Sequence, residues 1–219
     1  MNFNFQEFLK QESQKDYFKT LSNKLKTIGY NKIFPKQEEI FSAYENFDFD
    51  NLKVIIIGQD PYPTKGVANG LAFSTNRTNT KTPASLKNIF KEIKNSYPKS
   101  LFLVNDLSYW KSQGVLLINN ILTVEESKPL AHKNFGWEIF NHNFLKTISD
   151  IEKNIIFLIM GEYANSVIKN IDLSNHIVFK TSHPSPLSCS RNFLNTNVFL
   201  KINEKLKKLN KKEIDWNTK

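Results

Sequence analysis

The chain has 219 residues, a formal net charge of +9 and one cysteine, Cys189. A membrane protein is excluded, because no apolar run approaches the length needed to cross a bilayer. A disulfide-rich secreted protein is excluded as well, because the N-terminal residues lack the pattern of a signal peptide and one cysteine cannot form a disulfide framework. We therefore expect a cytoplasmic protein, and the excess of lysine favours a polyanionic partner, nucleic acid first.

The N-terminal part of the chain predicts helices without an evident site. Apolar residues recur at helical spacing between residues 5 and 26, with a break near Ser13, which indicates one or two amphipathic helices. A short helix is predicted over residues 37–44. We interpret residues 1–17 as a helical extension of the domain and residues 210–219 as a loose tail.

The first predicted strand leads into a loop that holds an ionisable group. Residues 54–57 are short, β-branched and bounded by Gly58, which is typical of a buried strand. Asp60 follows, and Pro61 holds it in an extended conformation. Ligands of parallel sheets bind beyond the carboxyl ends of strands, so Asp60 beside Tyr62 predicts a site for a small planar ligand. On spacing alone, an ordinary turn explains these residues equally well.

The next elements supply a hydroxyl and an amide. Residues 70–74 predict a short extended piece, and Thr82 is predicted to cap a helix with Pro83 at its first position. Ser85, in the first turn, can hold a phosphate, or it simply completes the helix start. Asn119 ends a second buried strand and can offer a donor and an acceptor to one planar edge, or it is a turn asparagine.

The last predicted strand ends at a histidine. Helices are predicted over residues 137–151, 162–171 and 193–209, and strands over residues 155–160 and 177–179. His183 follows the fourth strand at the mouth of a loop stiffened by two prolines. A histidine there is a better candidate for chemistry than one on a helix face, because it titrates near neutral pH. Leu187 is an unexpected apolar residue in the same loop.

The alternation of strands and helices predicts the fold class. We expect an α/β single domain over residues 1–219, with a central, mostly parallel four-stranded sheet flanked by helices on both faces. Asp60, Asn119 and His183 each follow a predicted strand, so they should meet at one edge of the sheet. No dinucleotide, P-loop, zinc-protease or serine-nucleophile motif occurs, and no cofactor or metal is expected.

Several segments, taken in order, carry a resemblance to a known family. They are Gly58–Tyr62, Leu116–Asn119 with Leu122-Thr123, His132-Lys133 with Gly136–Glu138, His183–Ser188 and, more loosely, Thr82–Ile89. From about Phe18 to Leu209 the chain resembles the family-1 uracil-DNA glycosylases. The resemblance implies hydrolysis of the bond between uracil and deoxyribose, which leaves an abasic site in DNA and starts base-excision repair.

The resemblance implies two catalytic residues. Asp60 would orient or activate the water and stabilise positive charge on the sugar, while His183 would donate to uracil O2 as the base leaves. Elementary chemistry agrees with this pairing. Breaking the bond develops positive charge on the sugar and negative charge on the base, so a carboxylate and a donor stabilise the two sides.

The resemblance also implies four residues that bind the base. Asn119 would read the uracil edge, and Phe73 would stack on the ring. Tyr62 would fill the space that a thymine methyl needs, and Gln59 would help to hold the base. An amide matched to uracil rejects cytosine, because the mismatched pattern leaves buried polar groups unpaired.

DNA binding is implied outside the base pocket. A duplex hides the scissile bond, so the base must be extruded at a cost of roughly a few kcal/mol. Ser85, Ser185 and Pro186 would grip phosphates together with Arg191, and Leu187 would enter the vacated stack. The implied partners are uracil-containing single- and double-stranded DNA and a proteinaceous uracil-glycosylase inhibitor, with the chain acting as a monomer.

The chain departs from the family pattern at named positions. Pro63 and Asn69 stand where histidine is usual, and Cys189-Ser190 replaces a usual Val-Tyr pair. Two alternatives therefore stay open. One is a DNA-binding or partner-binding module with little catalysis, against which the retained catalytic set argues. The other is a glycosylase for a different damaged pyrimidine, against which Tyr62 and Asn119 argue.

Overall fold

A computed structural model describes residues 3–79 and 81–219, so the first two residues of the predicted extension and Thr80 lie outside the described residues. The helices are α1 (Phe5–Ser13), α2 (Asp16–Ile28), α3 (Ala84–Ser96), α4 (Ser108–Lys111), α5 (Trp137–Ile151), α6 (Glu162–Val167), α7 (Cys189–Asn192) and α8 (Val198–Lys208). The strands are β1 (Ile33–Phe34), β2 (Val54–Gly58), β3 (Val115–Asn119), β4 (Val124–Glu125), β5 (Ile156–Met160) and β6 (Ile177–Thr181).

The central sheet confirms the predicted fold class. Its strand order is β3-β2-β5-β6, and every pairing is parallel. Gly58 at the end of β2 lies opposite Asn119 at the end of β3, and Met160 lies opposite Thr181 in the same way. Because these strands end level with one another, the loops that follow them leave from a single edge of the sheet.

Helices cover both faces of this sheet. Ile55 and Ile57 of β2 face a core shared with α1, α2 and α5, whereas Val54 and Ile56 face a core shared with α3, α4 and α8. All residues of β2, β3 and β5 are buried. A strand buried on both faces needs apolar residues at every position, which explains the continuous runs in the sequence. Among the described residues, no helix is long and apolar enough to cross a membrane.

The N-terminal helices are confirmed as two, but the helix predicted over residues 37–44 is wrong. Only Gln37–Glu39 is helical, as a 3₁₀ turn. Hydrogen bonds between residues three apart continue beyond this turn: the Ser42 N–H donates to the Glu39 carbonyl, and the Tyr44 N–H donates to the Phe41 carbonyl. An apolar spacing of three to four residues fits either helix type, so the sequence did not distinguish them.

The C-terminal tail is not loose, which corrects the prediction for residues 210–219. Ile214, Trp216 and Thr218 are buried, and the Trp110 indole donates to the Asn217 carbonyl at 2.9 Å. Alternate residues point inward, as in a strand with one buried face. The predicted helices over residues 162–171 and 193–209 are also shorter than expected, ending at Val167 and beginning at Val198 respectively.

A small antiparallel ribbon was not predicted. In it Ile33 pairs with Glu125 and Phe34 pairs with Val124. Each strand has only two residues, too few to show an alternating pattern. The ribbon fixes the start of the loop that crosses to the carboxyl edge of the sheet, where the Ser127 N–H donates to the Pro63 carbonyl at 2.9 Å.

Candidate active site

A pocket of about 170 Å³ opens at the carboxyl edge of the sheet. The residues predicted for catalysis and for binding the base all line it, together with Ser85: Gln59, Asp60, Tyr62, Phe73, Asn119 and His183. Pockets for drug-sized ligands measure roughly 300–1,000 Å³. The smaller volume here suits a single planar ring.

Asp60 lies just beyond β2 in the wall of this pocket. Its Oδ2 atom accepts a hydrogen bond from the Leu130 backbone N–H at 2.7 Å. Burial raises the pKa of the Asp60 carboxyl above its ordinary value, and the bond from Leu130 opposes that rise. A carboxylate with a raised pKa is a better base for a nearby water and can also face developing positive charge.

His183 follows β6 and presents a defined tautomer. Its Nδ1 atom accepts the Ser185 backbone N–H at 3.1 Å, so the proton of the neutral ring resides on Nε2. Burial lowers the pKa of this imidazole, which favours the neutral form near pH 7. Gly161 makes room for His183, because a Cβ on Gly161 would lie 2.9 Å from the His183 Cβ. His183 can therefore donate one hydrogen bond into the pocket.

Asn119 supplies the amide at the end of β3. It is 4% exposed, and its Oδ1 atom has no hydrogen-bond partner within the described part of the chain. The Asn141 amide donates to the backbone carbonyls of Asn119 and Asn120, at 3.0 and 2.9 Å, and so fixes the strand end. Buried polar atoms normally have partners, so the Oδ1 atom of this pocket-lining residue is an acceptor that a donor on a ligand could satisfy.

The aromatic wall of the pocket is built from two residues that contact each other. The Tyr62 hydroxyl donates to the Phe73 carbonyl at 3.1 Å, and burial raises the pKa of this phenol so that it keeps its proton. Phe73 has a φ of +63°, and its ring centroid lies 6.1 Å from that of His183. The extended conformation predicted for residues 70–74 is therefore wrong, because a left-handed residue turns the chain.

The comparisons with known proteins match this geometry. The family model described as the uracil DNA glycosylase superfamily matches residues 45–207. The uracil-DNA glycosylase of Mycoplasmopsis pulmonis is 46% identical over 216 residues, which cover 96% of this chain and 95% of that protein. The chain belongs to the uracil-DNA glycosylase superfamily. It is thus a DNA-repair glycosylase that removes uracil by hydrolysing an N-glycosidic bond.

Solved structures agree with this assignment. The crystal structure of mimivirus uracil-DNA glycosylase superimposes with a TM-score of 0.90 at 29% identity, covering 97% of this chain and 85% of that one. A mimivirus UNG variant in complex with UGI gives a TM-score of 0.91 at 29% identity, covering 99% and 89%. The predicted family and fold are both confirmed.

The loop after β6 places the remaining predicted residues outside the glycosylase pocket. The Ser188 hydroxyl donates to the His183 carbonyl at 2.9 Å and lies 2.9 Å from the Ser185 hydroxyl. The Asn88 amide donates to the Pro184 carbonyl at 2.8 Å, which ties the loop to α3. The residues predicted for DNA that stand exposed on this loop and on α7 are Pro186, Leu187 and Arg191.

The helix start beside the pocket differs from the prediction. Pro83 is the N-terminal cap of α3, and its first helical residue is Ala84. Thr82 does not cap the helix, because its hydroxyl donates to Asn105 Oδ1 at 2.8 Å instead. Ser85 nevertheless lies in the first turn and lines the pocket.

Pro63 leaves the glycosylase pocket with few ionisable groups. It lines the pocket where the family resemblance anticipates histidine. The ionisable side chains among the described lining residues are Asp60, Tyr62 and His183. Among the described residues, no group of three or more His, Cys, Asp or Glu side chains could hold a metal.

Sequence reasoning missed the residues that support the site from behind. Leu130 contributes only a backbone N–H, which no sequence pattern marks. His132 is fully buried, with Nδ1 2.7 Å from the Thr123 hydroxyl. The Trp137 indole donates to the same hydroxyl at 2.6 Å. These buried hydrogen bonds anchor the loop that carries Leu130. Their signal in the sequence is that His132 and Trp137 both lie in segments of the family resemblance.

Proposed function

We propose that Asp60 and His183 are the catalytic residues of this glycosylase. The bond between uracil N1 and the sugar C1′ breaks with its electron pair passing to the base, and the oxygen of a water molecule adds to C1′. The Asp60 carboxylate faces the sugar, stabilises its positive charge and accepts a proton from the water. The Nε2–H of His183 donates to uracil O2 and stabilises the departing anion.

Asn119 is proposed to select uracil. Its Oδ1 accepts the N3–H of uracil while its amide N–H donates to O4, and Phe73 stacks on the ring with Gln59 holding the base. Cytosine offers an acceptor at N3 and a donor at its exocyclic nitrogen. It would therefore leave a buried amide unpaired, which discriminates strongly between bases. The observation that carries this proposal is the buried, unpartnered Oδ1 of Asn119.

The loop after β6, together with Arg191 on α7 and Ser85 at the start of α3, is proposed to bind the DNA backbone and the base stack. Ser85, Ser185, Pro186 and Arg191 bind phosphates on both single and double strands. Leu187, which is 90% exposed, fills the gap left by a flipped base in a duplex. A wedge of this kind offsets part of the roughly few kcal/mol needed for extrusion.

A protein inhibitor is the second proposed partner. The UGI complex of a mimivirus UNG supports it, because that chain shares this fold over 99% of the present chain. Every residue assigned a role in the pocket comes from one chain, so we propose that the enzyme acts as a monomer. We also propose the cytoplasm as its location, since DNA is its substrate.

A binding experiment tests the role of Asn119 apart from catalysis. Asp60→Asn provides an inactive background in which single-stranded oligonucleotides with one uracil or one cytosine are titrated. We expect tighter binding of the uracil strand, and Asn119→Ala in that background should reduce the preference by about 10-fold, the worth of about one buried hydrogen bond.

Two results would contradict this proposal. One is an Asn119→Ala protein that still prefers uracil over cytosine to the same extent. The other is an Asp60→Asn protein that binds both strands equally, which would mean that the pocket does not read the base at all.

A further inference from the structure

Asn69 is a buried polar residue that the reaction scheme does not use. It is 9% exposed, and its amide nitrogen donates to the Ser74 hydroxyl at 2.9 Å and to the Thr75 carbonyl at 3.1 Å. Its Oδ1 accepts the Leu71 backbone N–H at 3.3 Å. One side chain thus joins the beginning of the turn over residues 70–74 to its end.

The turn that Asn69 closes is conformationally demanding. Gly70 has a φ of +83°, and a Cβ at this position would lie 2.0 Å from the Glu39 carbonyl oxygen. Phe73 is left-handed although it is not glycine, a conformation that persists only where surrounding contacts enforce it. The bonds from Asn69 to Ser74 and Thr75 lie directly after Phe73, and together with the bond from the Ser74 N–H to the Leu71 carbonyl they are placed to enforce its conformation.

The conformation of Phe73 decides where Tyr62 points. The Phe73 carbonyl is the acceptor for the Tyr62 hydroxyl, and both residues line the base pocket. If Phe73 relaxed to an ordinary φ, its carbonyl would rotate away and the Tyr62 ring would lose its anchor. The position of that ring therefore depends on a side chain that does not line the pocket.

We propose that Asn69 is a specificity-determining positioning residue. It closes the turn over residues 70–74, and the turn presents the Phe73 carbonyl that holds the Tyr62 ring against carbon 5 of the base. The inference rests on the proposed role of Tyr62 in excluding a methyl group. Loss of Asn69 then admits pyrimidines with a substituent at carbon 5, whereas a purely structural role would lower activity on all bases alike.

The test measures a ratio of kcat/KM on single-stranded oligonucleotides that contain either uracil or 5-bromouracil, whose substituent is the size of a methyl group. In Asn69→Ala and in the isosteric Asn69→Asp, the preference for uracil should fall by about 10-fold or more, the range associated with one methyl-sized group in a pocket. Asn69→Asp keeps the acceptor for Leu71 but cannot donate to Thr75, so it serves if the alanine variant folds poorly.

Asn203→Ala is the matched control. Asn203 is 3% exposed and also makes three hydrogen bonds, donating to the Tyr97 hydroxyl and the Ile214 carbonyl and accepting from the Ile214 N–H. It does not line the base pocket. This variant should lose stability as Asn69→Ala does while keeping the wild-type preference for uracil.

Tyr62→Ala separates failure of the inference from failure of the proposed function. If Tyr62→Ala lowers the preference and the Asn69 variants do so as well, the inference is supported. An unchanged preference in the Asn69 variants beside a lowered one in Tyr62→Ala overturns the inference alone. An unchanged preference in Tyr62→Ala removes the proposed role of Tyr62, and the inference with it.

Discussion

Leu187→Ala should impair the enzyme on duplex DNA and spare it on single strands. Leu187 is 90% exposed in the free protein, so its side chain makes almost no contribution to stability. In a duplex complex the same side chain would be buried in the stack that the uracil has left. A single strand has no such stack, and nothing is gained there from the wedge.

The expected size of the effect follows from the exposed surface. Burying a whole leucine side chain is worth about 1.5–3 kcal/mol, and truncation to alanine removes most of this. A loss of roughly 1.5–2.4 kcal/mol corresponds to about a 10- to 60-fold fall in kcat/KM on duplex substrate. On single-stranded substrate we expect wild-type kcat/KM within about twofold.

The assay compares uracil release from one oligonucleotide, single-stranded and annealed to its complement. Leu101→Ala is a control for loss of an exposed leucine, since Leu101 is 62% exposed and does not line the pocket. Equal losses on both substrates would refute the wedge, because they would show that Leu187 supports the loop itself. An unaffected duplex rate would refute it as well.

Four other predictions concern the pH dependence of activity, the stability of an Asp60 variant, the packing of His183 and the tail. The kcat/KM should fall as pH drops through the raised pKa of Asp60, and a pH series of kcat/KM measures this fall. A raised pKa means that ionised Asp60 destabilises the folded state. Asp60→Asn should therefore melt at a higher temperature than wild type at pH 7. The difference between the two melting temperatures should vanish below about pH 3.8, where the carboxyl is protonated in both the folded and the unfolded chain. Gly161→Ala should lower kcat about 100-fold by displacing His183, since Gly161 has a φ of +91° and a Cβ there would lie 2.9 Å from the His183 Cβ. An unchanged affinity for DNA would show that binding survives the substitution. Trp216→Ala should lower the free energy of unfolding in urea by about 3–5 kcal/mol if the tail is packed as described, and a change below about 1 kcal/mol would mean that it is loose.

The fold class was predictable because the strands carry their own signal. The runs at residues 54–57 and 115–118 are apolar at every position, as a strand covered on both faces must be. The parallel strands of the sheet end level with one another, which places Asp60, Asn119 and His183 together. Convergence of this kind follows from topology alone, and for that reason the sequence predicts the candidate site.

What the sequence could not reveal depends on contacts distant along the chain. Phe73 is left-handed in a turn whose Gly70 lies against the Glu39 carbonyl, a contact that no local spacing reveals. The tail is fixed by Phe102 and Trp110, more than a hundred residues away. The carboxyl of Asp60 accepts a hydrogen bond from the backbone N–H of Leu130, a contact that has no sequence signature. Local patterns predict elements, whereas these positions are set by packing between elements.

The most direct test of the account is uracil release from a single-stranded oligonucleotide by the wild-type protein beside Asp60→Asn. A single strand removes the cost of extrusion, so the assay reports on the pocket alone. We expect rapid release by wild type and a fall of about 10²- to 10⁴-fold in the variant, as is typical for loss of an acid–base group. Binding of DNA without release by the wild-type protein, or equal rates for both proteins, would contradict the assignment of hydrolysis to the Asp60 pocket.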